Sequence, residues 1–214
     1  MTKKYCSAIF WGFCFIIFTV LVKFVDVQPW GAEGSMIGFA NLNTAVFKFL
    51  GTNTFCYRIT EVLGIIAIAY AIRYALNGLI QLIKRKSFLK VDKEILMAGI
   101  IYAIVIILYI LFEKLAINFR PIVTEEGLEA SYPSTHTMLI LTILGTAIPL
   151  AGKYSLNQRA AITEKVSLII FMWLTVVCRL LSGVHWFTDI IGGFLISLCL
   201  ISLYKALIFK KENK

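Results

Sequence analysis

Six apolar stretches constrain this chain more than any other feature. They run roughly over 6–25, 60–83, 95–117, 134–152, 166–183 and 186–208. Each supplies about the twenty residues a helix needs to cross the ~30 Å hydrocarbon core of a bilayer. Backbone in lipid must satisfy its own N–H and C=O groups, and a helix does so within one segment. Hydrophobic residues make up 59% of the 214 and charged ones 15%. Soluble domains carry about 45–50% and about 25%. With a mean hydropathy of +0.84, one water-soluble core cannot absorb this apolar surface. Lys3 and Lys4 precede the first run as in a signal peptide. That run is long for such a segment and no A-x-A-like site follows, so it reads as a retained helix. The predicted fold is all-α, a six-transmembrane-helix bundle. It forms a single domain over 1–214, with no repeat and no low-complexity tract.

The net charge is +9. Its basic residues cluster between apolar runs, which points to membrane topology rather than nucleic acid. Lys84, Arg85, Lys86, Lys90 and Lys93 follow the second run, Lys153, Arg159 and Lys165 the fourth, and Lys210, Lys211 and Lys214 close the chain. With Lys3 and Lys4 they fall on one side of six spans. Basic residues are retained in the cytoplasm, so both termini are predicted to be cytoplasmic. The opposite side carries Asp26, Glu33, Lys48 and Arg58 in one loop and Glu125, Glu126 and Glu129 in another. Trp30 suits a membrane–water boundary, and 42–50 reads as a short interfacial helix. The five cysteines show no metal-ligand spacing and read as packing residues.

Three polar clusters interrupt the apolar pattern, each at the outer end of a span. Lys114, Arg120 and Pro121 stand where the third run ends, since proline stops a helix. Alone, these cations also fit snorkelling side chains. Pro133, Ser134, Thr135 and His136 open the fourth run. Free N–H groups there favour anions, although an ordinary capping segment looks the same. Arg179, His185 and Asp189 lie around the start of the last run. A helix starting near His185 puts it and Asp189 on one face at i,i+4. Asp189 can then hold the Nδ1 proton and leave Nε2 as a free nucleophile; a structural His–Asp pair is the alternative. The chain has only two histidines, and both fall among these clusters on one side.

Together the clusters resemble the type 2 phosphatidic acid phosphatase superfamily, with its motifs K-x6-R-P, P-S-G-H and S-R-x5-H-x3-D. Here the first is K-x5-R-P, Thr135 replaces the glycine and Cys178 replaces the serine. The resemblance implies six helices with an active site at the extracytoplasmic membrane surface. It implies that Lys114, Arg120 and Arg179 clamp the phosphate, aided by Ser134 and backbone N–H groups near Thr135 and His136. His185 would attack phosphorus to form a phosphohistidine, Asp189 would orient it, and His136 would protonate the leaving oxygen. No metal or other cofactor is implied, because cations supply the countercharge. The two histidines need opposite protonation states, which predicts a bell-shaped pH profile.

The predicted partner is a membrane lipid phosphate whose tail stays in the bilayer. Undecaprenyl pyrophosphate, phosphatidylglycerophosphate and phosphatidic acid are the candidates, and the first suits an outward-facing site. Two other readings are a lipid phosphotransferase of the same clan and a non-catalytic lipid-binding or transport protein. Transporters more often break their helices at mid-membrane, whereas the polar residues here collect at helix ends. Nothing in the sequence specifies an oligomeric state.

Overall fold

The computed structural model describes residues 3–31, 34–122 and 127–208. Glu33, Glu125, Glu126, Lys210, Lys211 and Lys214 lie outside these. Helix α1 spans Cys6–Phe24. A two-stranded antiparallel hairpin, β1 (Gln28–Trp30) and β2 (Ser35–Ile37), leads into the short helix α2, Ala40–Leu50. Then follow α3 (Thr54–Arg85), α4 (Lys93–Leu115), α5 (Thr135–Tyr154), α6 (Gln158–Leu181) and α7 (Phe187–Ile208). All but α2 are long and apolar enough to cross a membrane, giving six candidate spans. The chain is a multi-pass, all-α membrane protein. The hairpin was not foreseen, and α3 starts six residues before the predicted 60. The side-chain oxygen of Asn53 accepts from the Cys56 backbone N–H at 2.9 Å and caps that earlier start.

Helices α5 and α7 form the centre of the bundle, and the others wrap round them. Small residues on α5 and α7 let neighbouring backbones approach, as lipid-embedded helices require. A Cβ on Gly193 would lie 2.9 Å from the Ser134 carbonyl, so only glycine fits this crossing. Outer helices turn side chains such as Ile65, Ile107 and Phe13 outwards, which lipid tails accommodate. Tyr132 fills the space between α1 and α7, its hydroxyl 2.8 Å from that of Thr19.

One end of the bundle is held by a polar cluster around Asp92, in the turn between α3 and α4. Its carboxylate accepts from Tyr154 at 2.5 Å, Arg85 at 2.8 Å and Lys153 at 2.9 Å. Lys153 also reaches Glu94 at 2.9 Å. Burial alone raises the Asp92 pKa, but these donors outweigh it and hold the carboxyl well below its usual range. Folded protein therefore binds the proton more weakly than unfolded chain. The resulting stability is present above the ordinary carboxylate range and is lost as pH falls through the lower folded value. Asp92→Asn is expected to cost about 1–2 kcal/mol at neutral pH, seen as a lower unfolding midpoint in detergent. The gap from wild type should narrow on acidification. An equal gap at all pH values would show that charge is not what holds this end.

Candidate active site

Arg120, His136, Arg179, His185 and Asp189 converge at the end of the bundle opposite Asp92. Arg179 sits in the last turn of α6. The Ser182 hydroxyl closes that turn by donating to the Arg179 carbonyl at 2.7 Å. Gly183 then adopts φ +71, and a Cβ there would lie 2.6 Å from the Gly51 carbonyl. Only glycine tolerates both the left-handed backbone and the close approach. This turn delivers His185 just ahead of α7 rather than on it, because α7 begins at Phe187.

Asp189 lies in the first turn of α7 and reaches back. Its Oδ2 accepts the Trp186 backbone N–H at 2.9 Å, the reciprocal half of a capping box. The same oxygen lies 3.6 Å from His185 Nδ1. The Ser131 carbonyl stands nearer, 3.1 Å from Nδ1. On the other side of the ring, Arg179 Nη2 lies 3.2 Å from Nε2. These partners assign the tautomer. A carbonyl only accepts and a guanidinium only donates. Nδ1 therefore carries the proton, and Nε2 presents its lone pair to Arg179. Burial first, then the charges of Arg179, Arg120 and His136, hold the His185 pKa well below its ordinary value, against a smaller opposing pull from Ser131.

Arg179 is 1% exposed. Its Nη1 donates to the Thr60 hydroxyl at 3.1 Å, and its guanidinium lies 5.6 Å from the centre of the Tyr57 ring. Glu61, one turn along α3 from Tyr57, brings Oε1 to 3.6 Å from Arg179 Nη1 and 3.0 Å from His136 Nε2. Glu61 and Arg179 thus link the two imidazoles. Arg120 comes from the loop after α4, where its backbone N–H bonds the Glu129 carbonyl at 3.0 Å. Its Nη2 pairs with Glu129 Oε2 at 2.8 Å. The Nε groups of Arg120 and Arg179 are both buried without a hydrogen-bond partner. Buried donors are normally satisfied, so these two guanidinium N–H groups, unused by the described protein atoms, are available to an anionic acceptor.

The side chains of the remaining predicted residues make no hydrogen bond to this cluster among the described residues. Lys114 is exposed on α4 and has no hydrogen bond or ion pair with a described residue. The K-x5-R-P spacing accounts for this, since one residue turns a helical side chain by about 100°. Ser134 is fully buried, with its hydroxyl accepting from Thr137 at 3.0 Å and its N–H donating to the Asp189 carbonyl at 3.0 Å. Thr135 lines a small recess with Tyr109, Glu113 and Ala130. Cys178 is buried. Among the described residues, no three His, Cys, Asp or Glu side chains gather as a metal cradle.

Several supporting residues were not foreseen. Asn118 donates to Asp189 Oδ1 at 3.4 Å and accepts the Gly38 N–H at 2.9 Å. Asn43 on α2 accepts the Thr188 N–H at 3.2 Å, tying α2 to the start of α7. Trp30, expected at the membrane boundary, packs edge-on against Trp186 at 5.3 Å and donates to the Pro121 carbonyl at 3.1 Å. Hairpin, α2 and the α4–α5 loop thus form one cap that fixes Ser131 and His185. Glu61 had a legible signal, as the sole acid on α3, because ionisable residues in spanning helices are rare and functional by default.

Residues 113–213 match the profile of the PAP2 superfamily. By structure, the chain is similar to a transmembrane PAP2 type phosphatidylglycerolphosphate phosphatase from Bacillus subtilis. The TM-score is 0.67 at 16% identity, over 93% of this chain and 94% of that one. Comparison with curated protein sequences finds no match. The fold is shared with that structure, and the stretch that matches the PAP2 superfamily profile, residues 113–213, carries Arg120, His136, Arg179, His185 and Asp189.

Proposed function

We propose that the chain is a metal-independent phosphatase acting on the phosphomonoester or pyrophosphate of a membrane lipid. One arrangement carries this: His185 turns Nδ1 to the Ser131 carbonyl at 3.1 Å and Nε2 to Arg179 at 3.2 Å, beside buried guanidinium N–H groups free to take an anion. In the proposed reaction Nε2 attacks phosphorus, and the lipid oxygen leaves as His136 gives it a proton. Water then attacks the phosphohistidine and returns its proton to His136. Arg120 and Arg179 neutralise charge on the transferring oxygens, which is most of the work in phosphoryl transfer. The site lies at the end of the spans, where a headgroup can enter while its tail remains in the bilayer. Undecaprenyl pyrophosphate, phosphatidylglycerophosphate and phosphatidic acid all meet that geometry.

Detergent-solubilised protein is expected to release phosphate from at least one of these lipids with EDTA present. Their kcat/KM values would rank the headgroups. No release from any lipid, or release abolished by EDTA, would refute the reading. Phosphate passed to a second lipid instead of water would make the protein a phosphotransferase. We place this site on the extracytoplasmic side and both termini in the cytoplasm, on the charge distribution. A cysteine at exposed Gln28, beside the site, should then react with an impermeant thiol reagent in intact cells. Reaction only after lysis would invert the topology.

A further inference from the structure

We infer that Glu61 is a built-in counter-anion, seated where the phosphoryl group binds and displaced by the substrate. The inference rests on the phosphatase reading of this site. Glu61 Oε1 lies 3.0 Å from His136 Nε2 and 3.6 Å from Arg179 Nη1. Those are two of the groups that would grip the phosphoryl oxygens and the leaving oxygen. A carboxylate oxygen presents them with the same chemistry, a compact anionic acceptor. The resting pocket gathers Arg120, Arg179 and two imidazoles, so an internal anion offsets part of its self-repulsion.

The carboxylate is built to leave. Oε1 is buried and has no aligned hydrogen bond, while the Glu61 side chain as a whole is 43% exposed. One oxygen therefore sits in the pocket and the rest of the side chain lies at its mouth. Gly64, three residues on and on the same helix face, puts no side chain beside it. A Cβ there would meet nothing nearer than Ile140 at 3.9 Å and His136 at 4.0 Å. Asp189 differs: it is fully buried and anchored to the Trp186 N–H at 2.9 Å. Glu61 can rotate outwards without unpacking the bundle.

An incoming phosphate must then displace a like charge. Neutralising Glu61 should strengthen anion binding, whereas removing a fixed brace for His136 and Arg179 would weaken it. The test measures inhibition of lipid phosphate hydrolysis by inorganic phosphate and orthovanadate in wild type, Glu61→Gln and Glu61→Ala. The rise in unfolding midpoint with added phosphate gives binding without turnover. Both variants should show a Ki about five- to tenfold lower and a lower KM, allowing for solvent screening of a partly exposed charge. If the neutral variants do not fold in detergent, Glu61→Asp, shorter by one methylene, should still tighten phosphate binding to a smaller degree. An unchanged or raised Ki in an active, folded variant would overturn the inference and leave the phosphatase reading standing. Wild type that neither hydrolyses a lipid phosphate nor is stabilised by phosphate would overturn both.

Discussion

His185→Asn is expected to lower phosphate release about 10,000-fold or more, the scale on which loss of a covalent nucleophile is felt. Asparagine is chosen because its side-chain N–H₂ can still donate to the Ser131 carbonyl, now 3.1 Å from Nδ1. What it lacks is a nitrogen lone pair at the Nε2 position. The imidazole is buried, so alanine would add a cavity and confuse folding with chemistry. The unfolding midpoint of the asparagine variant should stay near that of wild type while turnover disappears. Brief exposure of wild type to radiolabelled lipid phosphate should leave an acid-labile, alkali-stable phosphoenzyme, absent from the variant. The surroundings also set the pH range. Burial and nearby cations favour neutral His185, and only neutral imidazole attacks. The acid limb of kcat/KM should therefore fall below the ordinary imidazole range, with activity retained in mildly acidic buffer. Turnover by His185→Asn within tenfold of wild type would remove His185 as nucleophile.

How much was legible in the sequence depended on whether a residue's role is local. The six spans were readable because twenty apolar residues in a row have few other uses. Arg120, His136, Arg179, His185 and Asp189 were readable because polar groups at apolar helix ends are costly and few. The pairing of His185 with Asp189 was expected from i,i+4 spacing on one helix, and its geometry differs. Asp189 caps the Trp186 N–H at the start of α7, and His185 precedes the helix. The acceptor nearest to Nδ1 is a backbone carbonyl of Ser131. No side-chain pattern marks a carbonyl, since every residue has one. Asn118 and Asn43 act across 71 and 145 residues of chain, a separation that no local period records. Glu61 is the opposite case, a lone acid in an apolar helix: its position is a legible signal, although it was not foreseen.

Arg179→Lys is expected to reduce kcat about 100- to 1,000-fold, the usual cost of removing one preorganised donor to a developing anion. The change keeps the positive charge, so it separates charge from geometry. Arg179 spreads its fork over three partners: Thr60 Oγ1 at 3.1 Å, Glu61 Oε1 at 3.6 Å and His185 Nε2 at 3.2 Å. Its Nε is buried and unpaired. A lysine ammonium is a compact point charge that cannot hold Thr60 and face His185 at once. Burying a guanidinium costs several kcal/mol unless its donors are met, and here the nearest carboxylate is half at the surface. A phosphoryl group that satisfied the free donor would recover part of that cost, most fully when its charge is greatest, in the transition state. The loss should therefore fall mainly on kcat, with KM rising only a few-fold. A lysine variant that kept kcat within about threefold would show that charge alone suffices, and that the fork held against His185 contributes nothing to the reaction.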